Sequence, residues 1–190
     1  WGIEATLQKL VGMFAMAIWD RQAQCLTLTR DRLGEKPLYY GWVGNALIFG
    51  SELKPIKAFP GFNNPLERQA LTLYMRHNYI PAPWSIYQNI WKLTPGCLVQ
   101  FDQSTTLQAE TGQGTIRPYW SLKDVAQRGL AQPFTGTQED AADELERLIR
   151  QSLRGQMIAD VPLGAFLSGG YDSSTVTALM QSLSETPVKT

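Results

Sequence analysis

The chain has 190 residues, 44% of them hydrophobic and 18% charged, which is enough apolar material for one large domain or two small or partial ones and excludes a disordered or fibrous chain. Lysine plus arginine equals aspartate plus glutamate, 17 against 17, so no general field draws in nucleic acid or a lipid surface, and a charged ligand has to be held locally. No apolar run approaches the roughly 20 residues that span a bilayer, and Cys25 and Cys97 form no metal-binding or redox pattern, so neither membrane nor nucleic acid is an expected partner and a reducing, cytoplasmic setting is expected.

The first part of the chain reads as β-rich. "GMFAMAIWD" (Gly12 to Asp20) is an apolar run closed by Gly and Asp, Gln24 to Asp31 alternates apolar and polar residues, and "KPLYYGWV" and "NALIFGSE" follow after short connections. The pattern predicts four strands in a meander, with a hairpin turn at Gly44-Asn45. A helix is expected from near Pro65, with Leu66, Ala70, Leu73 and Tyr74 on one face, ending before the two prolines of "YIPAPWS". Trp84, Tyr87 and Trp91 suggest an aromatic surface for packing between domains. "GCLVQF" and "STTLQAE" suggest short strands, and "TGQGTIRP" a loop.

Lys123 to Gly136 has little periodicity and reads as a linker. Thr137 can then cap a helix carrying Ala141, Leu145, Leu148, Ile149 and Leu153 at helical spacing, with Asp143/Arg147 and Glu146/Arg150 as i,i+4 pairs. "DVPLGAFL" predicts a short buried strand, "SGGYDSS" a turn, and "STVTALMQSL" a helix. The chain opens on Trp1 and ends on "TPVKT", the beginning of a strand by its composition, and is expected to be part of something longer.

Strand, glycine turn and helix together aim free backbone N–H groups and the positive end of a helix dipole at one point, which suits an anion. Gly169 and Gly170 permit close backbone approach, and Ser168, Ser173 and Ser174 add hydroxyls. Asp172 would repel a phosphate unless a cation lay between them, so a magnesium-bridged nucleotide accounts for it. The alternative is a plain strand-to-helix turn with Asp172 or Ser173 as N-cap. No Gly-Lys-Ser/Thr follows, so this is not a Walker A loop.

"SGGYDSS" after an apolar strand resembles the pyrophosphate loop of the N-type ATP pyrophosphatases. "GMFAMAIWD", "RDRLGEKPLYYG" and "IFGSELKPI" resemble successive motifs of the amidotransferase half of glutamine-hydrolysing asparagine synthetases, in that family's order. The resemblance implies an α+β then α/β chain: residues 1–122 the C-terminal part of an N-terminal-nucleophile (αββα) amidotransferase sandwich, 123–136 a linker, and 137–190 the first strand-loop-helix of a parallel-sheet ATP-pyrophosphatase domain. It also implies a reaction. Glutamine is hydrolysed to give ammonia, ATP activates aspartate as β-aspartyl-AMP with release of pyrophosphate, and ammonia displaces AMP to give asparagine.

ATP and Mg2+ would accompany that chemistry, with glutamine and aspartate as further small-molecule partners and a homodimer as assembly. Carried over by position, Leu167 would contact the nucleotide, Ser168, Gly169, Gly170, Asp172, Ser173 and Ser174 would form the pyrophosphate loop, and Asp172 would face the metal. The family's nucleophile is a first-residue cysteine; residue 1 here is Trp, so no glutaminase catalytic residue is expected in this chain. Cys25 and Cys97 are expected to pack, His77 to cap or pack at a helix end, Glu52 to play a structural part, and Arg30, Asp31, Arg32, Glu35 and Lys36 to form a polar turn with charges paired locally or at a domain interface. A β-lactam-synthetase-like ligase with another acceptor, or a non-catalytic scaffold, are the alternatives.

Overall fold

Period-two alternation along the strands produces two facing sheets. β1 (Ala15–Asp20), β2 (Cys25–Arg30), β6 (Cys97–Phe101) and β7 (Thr115–Pro118) form one antiparallel sheet in the order β1-β2-β6-β7. β3 (Tyr39–Val43), β4 (Ala46–Gly50) and β5 (Ile90–Lys92) form the other, in the order β4-β3-β5. This computed structural model describes residues 1–102 and 113–190, in two compact units, Trp1–Ala126 and Gln127–Thr190.

In the first unit Leu28, Val99 and Phe101 meet Tyr40, Trp42, Leu38 and Leu93 in a shared core. Phe101 packs against both Tyr40 and Trp42, with ring centroids 5.8 and 6.4 Å apart. Leu98, one residue out of phase with Val99, turns to the opposite face and packs with Leu7 of α1 (Ile3–Lys9) and with Tyr119. On the far side of the second sheet, Ile56 of α2 (Leu53–Lys57) packs with Val43 and Ile90. Full burial of each such aliphatic side chain is worth about 2 kcal/mol, so the layering of helix, sheet, sheet and helix follows from which face each strand makes apolar.

The expected single meander is corrected. β1-β2 and β3-β4 are hairpins in different sheets, because β6 takes the free edge of β2, Leu28 opposite Val99, while the apolar face of Tyr40 and Trp42 belongs to the facing layer. The Gly44-Asn45 turn forms as expected, with Val43 opposite Ala46. α3 (Arg68–His77) begins after Pro65: Glu67 caps it by accepting from Gln69 N at 3.0 Å, and Leu66 bridges to Tyr87 instead of joining the helix. Of its expected apolar face, Ala70 is buried and Tyr74 is exposed.

Tyr87 and Trp91 pack within the first unit, on Phe62 at 5.0 Å and on Tyr40 at 5.9 Å. The strand expected at 104–110 lies outside the described residues. The loop expected at 111–118 instead ends in β7, because Ile116 reaches the core and its backbone pairs with Val99. The stretch 123–136 carries most of α4 (Leu122–Ala131), none of whose residues is buried, and the boundary between the two units falls within it.

In the second unit α5 (Gln138–Gln156) starts at a reciprocal capping box: Asp140 N donates to Thr137 Oγ1 at 3.1 Å, and Thr137 N donates to Asp140 Oδ2 at 2.9 Å. Leu153 is its only buried residue; Leu145 and Leu148 are exposed. The Glu146–Arg150 pair forms at 2.7 Å, but Arg147 pairs with Glu144, not Asp143, at 2.6 Å. α6 (Tyr171–Leu183) buries Met180, and Arg150 Nη1 donates to Ser182 Oγ at 2.6 Å. The buried strand expected before the glycine turn is not formed. Residues 160–167 are mostly exposed and hold one isolated parallel bridge, Gly164 to Lys189, with Ala165 N donating to Lys189 O at 2.8 Å. A strand needs a ladder on its edges, and among the described residues Lys189 supplies the only rung.

Candidate nucleotide site

The turn sits where the chain enters α6. Gly170 is the N-cap, with no side chain bonded to the helix end, which corrects the expectation of Asp172 or Ser173 in that role. The first helical bond is Ser174 N to Gly170 O, 3.1 Å, so the amides of Tyr171, Asp172 and Ser173 precede any intrahelical acceptor. Gly169 has φ +82°, and a Cβ there would meet nothing within 4 Å; the glycine is required by backbone conformation and not by crowding.

Around these amides the hydroxyls are close together. Ser168 Oγ lies 3.0 Å from Ser173 Oγ, and Ser173 Oγ donates to Gly170 O at 3.2 Å. Asp172 falls in the first turn of α6, where the helix dipole favours a carboxylate. Ser168, Gly169, Gly170, Asp172 and Ser174 are exposed, Ser173 is partly buried, and Leu167 is 50% exposed. A groove of about 470 Å³ runs beside the turn, with Asp172, Ser173, Phe166, Val176 and Met180 in its wall. Thr177 also lines it and holds a buried hydroxyl without a partner, a group that no motif in the sequence singles out.

The other residues considered from sequence are elsewhere. Cys25 and Cys97 are both free; the β2–β6 register sets them at opposite ends of the paired strands, and burial pushes the Cys97 thiol up. His77 ends α3 with its ring 6.1 Å from Tyr79. Arg30 and Asp31 are buried, and backbone groups satisfy them where charge pairing was expected. Arg30 donates to Lys36 O (2.7 Å), Leu93 O (2.8 Å) and Gly34 O (2.5 Å). Asp31 accepts from Phe14, Glu35 and Lys36 amides at 3.3, 2.9 and 2.9 Å. Among the described residues no group of three or more His, Cys, Asp or Glu is arranged to hold a metal ion, and no helix is long and apolar enough to cross a membrane.

Antiparallel sheets flanked by helices define the first unit as an α+β fold of amidotransferase type, and a serine–glycine turn without a side-chain cap opens α6 in the second. Residues 1–120 match the glutamine amidotransferase domain family, and residues 144–190 match the asparagine synthase family. A Methanocaldococcus jannaschii protein bearing the name of a glutamine-hydrolysing asparagine synthetase is 37% identical over 92% of this chain and 32% of its own length. A Mycobacterium bovis protein of similar name is 33% identical over 94% of this chain and 26% of its own. Asparagine synthetase 3 of Bacillus subtilis is 30% identical over 93% of this chain and 26% of its own. The chain belongs to the glutamine-hydrolysing asparagine synthetase family, and it spans about a quarter to a third of the length of these curated relatives.

Proposed function

We propose that this chain is a piece of an ATP-dependent asparagine synthetase that uses glutamine as its nitrogen donor, joining the end of the amidotransferase domain (1–122) through a linker (123–136) to the start of a parallel-sheet ATP-pyrophosphatase domain (137–190). The observation that carries the reading is the bare N-terminus of α6 behind Gly169-Gly170, with the Ser168 and Ser173 hydroxyls beside it. Its donors are amides and hydroxyls with one carboxylate, Asp172, a set that suits a polyphosphate carrying Mg2+, which takes one or two carboxylates and fills its remaining sites with phosphate and water.

In this reading the Gly169 to Ser174 segment holds the departing pyrophosphate of ATP, Leu167 lies against the nucleotide, and Asp172 holds the cation. Mg2+ supplies charge neutralisation as the α–β phosphate bond breaks. The amides of Tyr171, Asp172 and Ser173 are fixed before the reaction, so they stabilise charge developing on pyrophosphate without reorganising. Aspartate attacks the α-phosphorus through its side-chain carboxylate, pyrophosphate leaves, and ammonia from glutamine then displaces AMP. The enzyme works in the cytoplasm as a homodimer.

The test is release of AMP and pyrophosphate by the full-length protein from Mg-ATP, glutamine and aspartate, with Asp172→Ala beside it. Aspartate-dependent AMP that falls at least a hundredfold in the variant supports the reading; unchanged AMP release in the variant defeats it. A second reading keeps the adenylation and changes the carboxylate acceptor. One relative, amidase chry2 of Gibberella zeae, 29% identical over 93% of this chain, bears a name other than asparagine synthetase. AMP formation without an aspartate requirement would select this second reading.

A further inference from the structure

The first unit contains a cavity of about 390 Å³, bounded by the turn after β2, the turn before β6 and the junction of β7 with α4. Its wall is mainly apolar, from Leu33, Pro95, Trp120 and Leu122, with Cys97 beneath and Arg32 as the one charged member. The volume is at the lower end of small-molecule pockets, which run from about 300 to 1,000 Å³.

The three walls are fastened at one glycine. Gly96 N donates to Asp31 O at 2.9 Å, and Gly96 O accepts from Tyr119 N and Trp120 N at 2.8 and 3.1 Å. The cavity is therefore set by backbone bonds rather than by side chains free to close it.

Arg32 is under-used. Nη2 donates to Gln8 O at 2.9 Å, Nε is buried without a partner, and no carboxylate lies within ion-pair distance among the described residues. The neighbouring Asp31 carboxylate is spent on the Phe14, Glu35 and Lys36 amides, and the Ser121 hydroxyl accepts from Asp124 N at 3.2 Å. Arg32 brings to this apolar wall a guanidinium whose Nε has no partner, and its chemical match is a carboxylate on an apolar body, because charge-assisted bonds to a planar acceptor are the strongest that an Arg makes.

We propose that this cavity binds a small-molecule carboxylate with an apolar body, its carboxylate on Arg32 and its body between Leu33 and Trp120. The size selects a free small molecule over a peptide segment. The site rests on Arg32 and the cavity alone and stands whether or not the second unit binds ATP.

The probe is 3-phenylpropionate, titrated calorimetrically into the full-length protein beside 3-phenylpropanamide, which has the same shape without the charge. Saturable binding of the carboxylate is expected, at least about tenfold tighter than the amide, the factor that one charge-assisted bond over a neutral one supplies. Arg32→Gln should abolish the preference. Leu33 is 60% exposed, so Leu33→Asp folds normally, places a carboxylate at the rim and should abolish binding by repulsion, which keeps the test open should Arg32→Gln not fold. No saturable binding to the folded wild type, equal affinity for acid and amide, or undiminished binding by Leu33→Asp would each overturn the proposal.

Discussion

The Ser168 and Ser173 hydroxyls meet at 3.0 Å across the Gly169-Gly170 turn, so the two sides of the turn are tied by groups that an anion would also engage. The turn's geometry comes from Gly169 at φ +82° in open space. Gly169→Ala therefore costs about 1 kcal/mol of conformational strain without a clash. The second unit should keep its helix content, and ATP affinity, measured by calorimetry on the full-length protein, should fall about tenfold as the amides move off their common point. Affinity equal to wild type would show that the turn's shape does not matter to the nucleotide.

Asp31 carries a different burden. At 1% exposure it is buried, and its carboxylate serves three amides from two segments. Asp31→Asn keeps the size but offers an NH2 to an amide donor, leaving a buried N–H without an acceptor. The expected loss is about 2–3 kcal/mol in urea unfolding, with a lower midpoint and an unchanged slope.

The same residue gives the first unit an acid-sensitive component. Burial alone would raise the Asp31 carboxyl, but the amide bonds from Lys36, Glu35 and Phe14, with the Gly34 amide close by, outweigh it and hold the group below its ordinary 3.8. A depressed folded value means the unfolded chain takes up the proton first on acidification. The stabilisation is therefore complete above about pH 5 and is lost as pH falls through the lowered folded value. Plotted against pH, the urea midpoint of wild type should fall below about pH 4, and that of Asp31→Asn should fall less. Parallel curves would assign the acid sensitivity to other groups.

The sequence disclosed local chemistry better than partnership. The Thr137 cap, Gly44-Asn45 and the Gly169-Gly170 turn are read within a few residues, and all three occur where the sequence puts them. What the sequence hid depends on distant residues. β2 pairs with β6, Leu28 with Val99 71 positions further along the chain, and no period-two pattern names that partner. β7 was obscured because "TGQGTIRP" has the composition of a loop, yet Ile116 finds the core opposite Val99. Arg30 and Asp31 read as part of a polar turn with charges paired locally or at a domain interface; only the folded backbone shows carbonyls converging on one and amides on the other. At the candidate site the serines and glycines were legible, whereas the groove and the Thr177 hydroxyl were not, since both arise from helix packing.

The capping box at the start of α5 is exposed and self-contained, so its removal should be felt locally. Thr137→Ala takes away the acceptor for Asp140 N, and loss of such a cap costs about 1 kcal/mol. Amide exchange in the first turn of α5 should quicken, while exchange in the first unit's β2 and β6 stays the same. Thr137→Ser keeps the hydroxyl and should restore protection.

Gly96 tests the rigidity of the first unit more severely. It has φ +66°, and a Cβ would lie 2.4 Å from Trp120 O, a backbone atom that cannot rotate away. Gly96→Ala therefore combines left-handed strain with a clash at the point that ties the turns of Asp31, Gly96 and Trp120 together. The loss should exceed that of Gly169→Ala by at least about 2 kcal/mol, read as the urea midpoint of the unit containing β6. A cost no larger than at Gly169 would mean the β7–α4 junction can shift without disturbing the sheet, and that the three turns are not fastened through this residue.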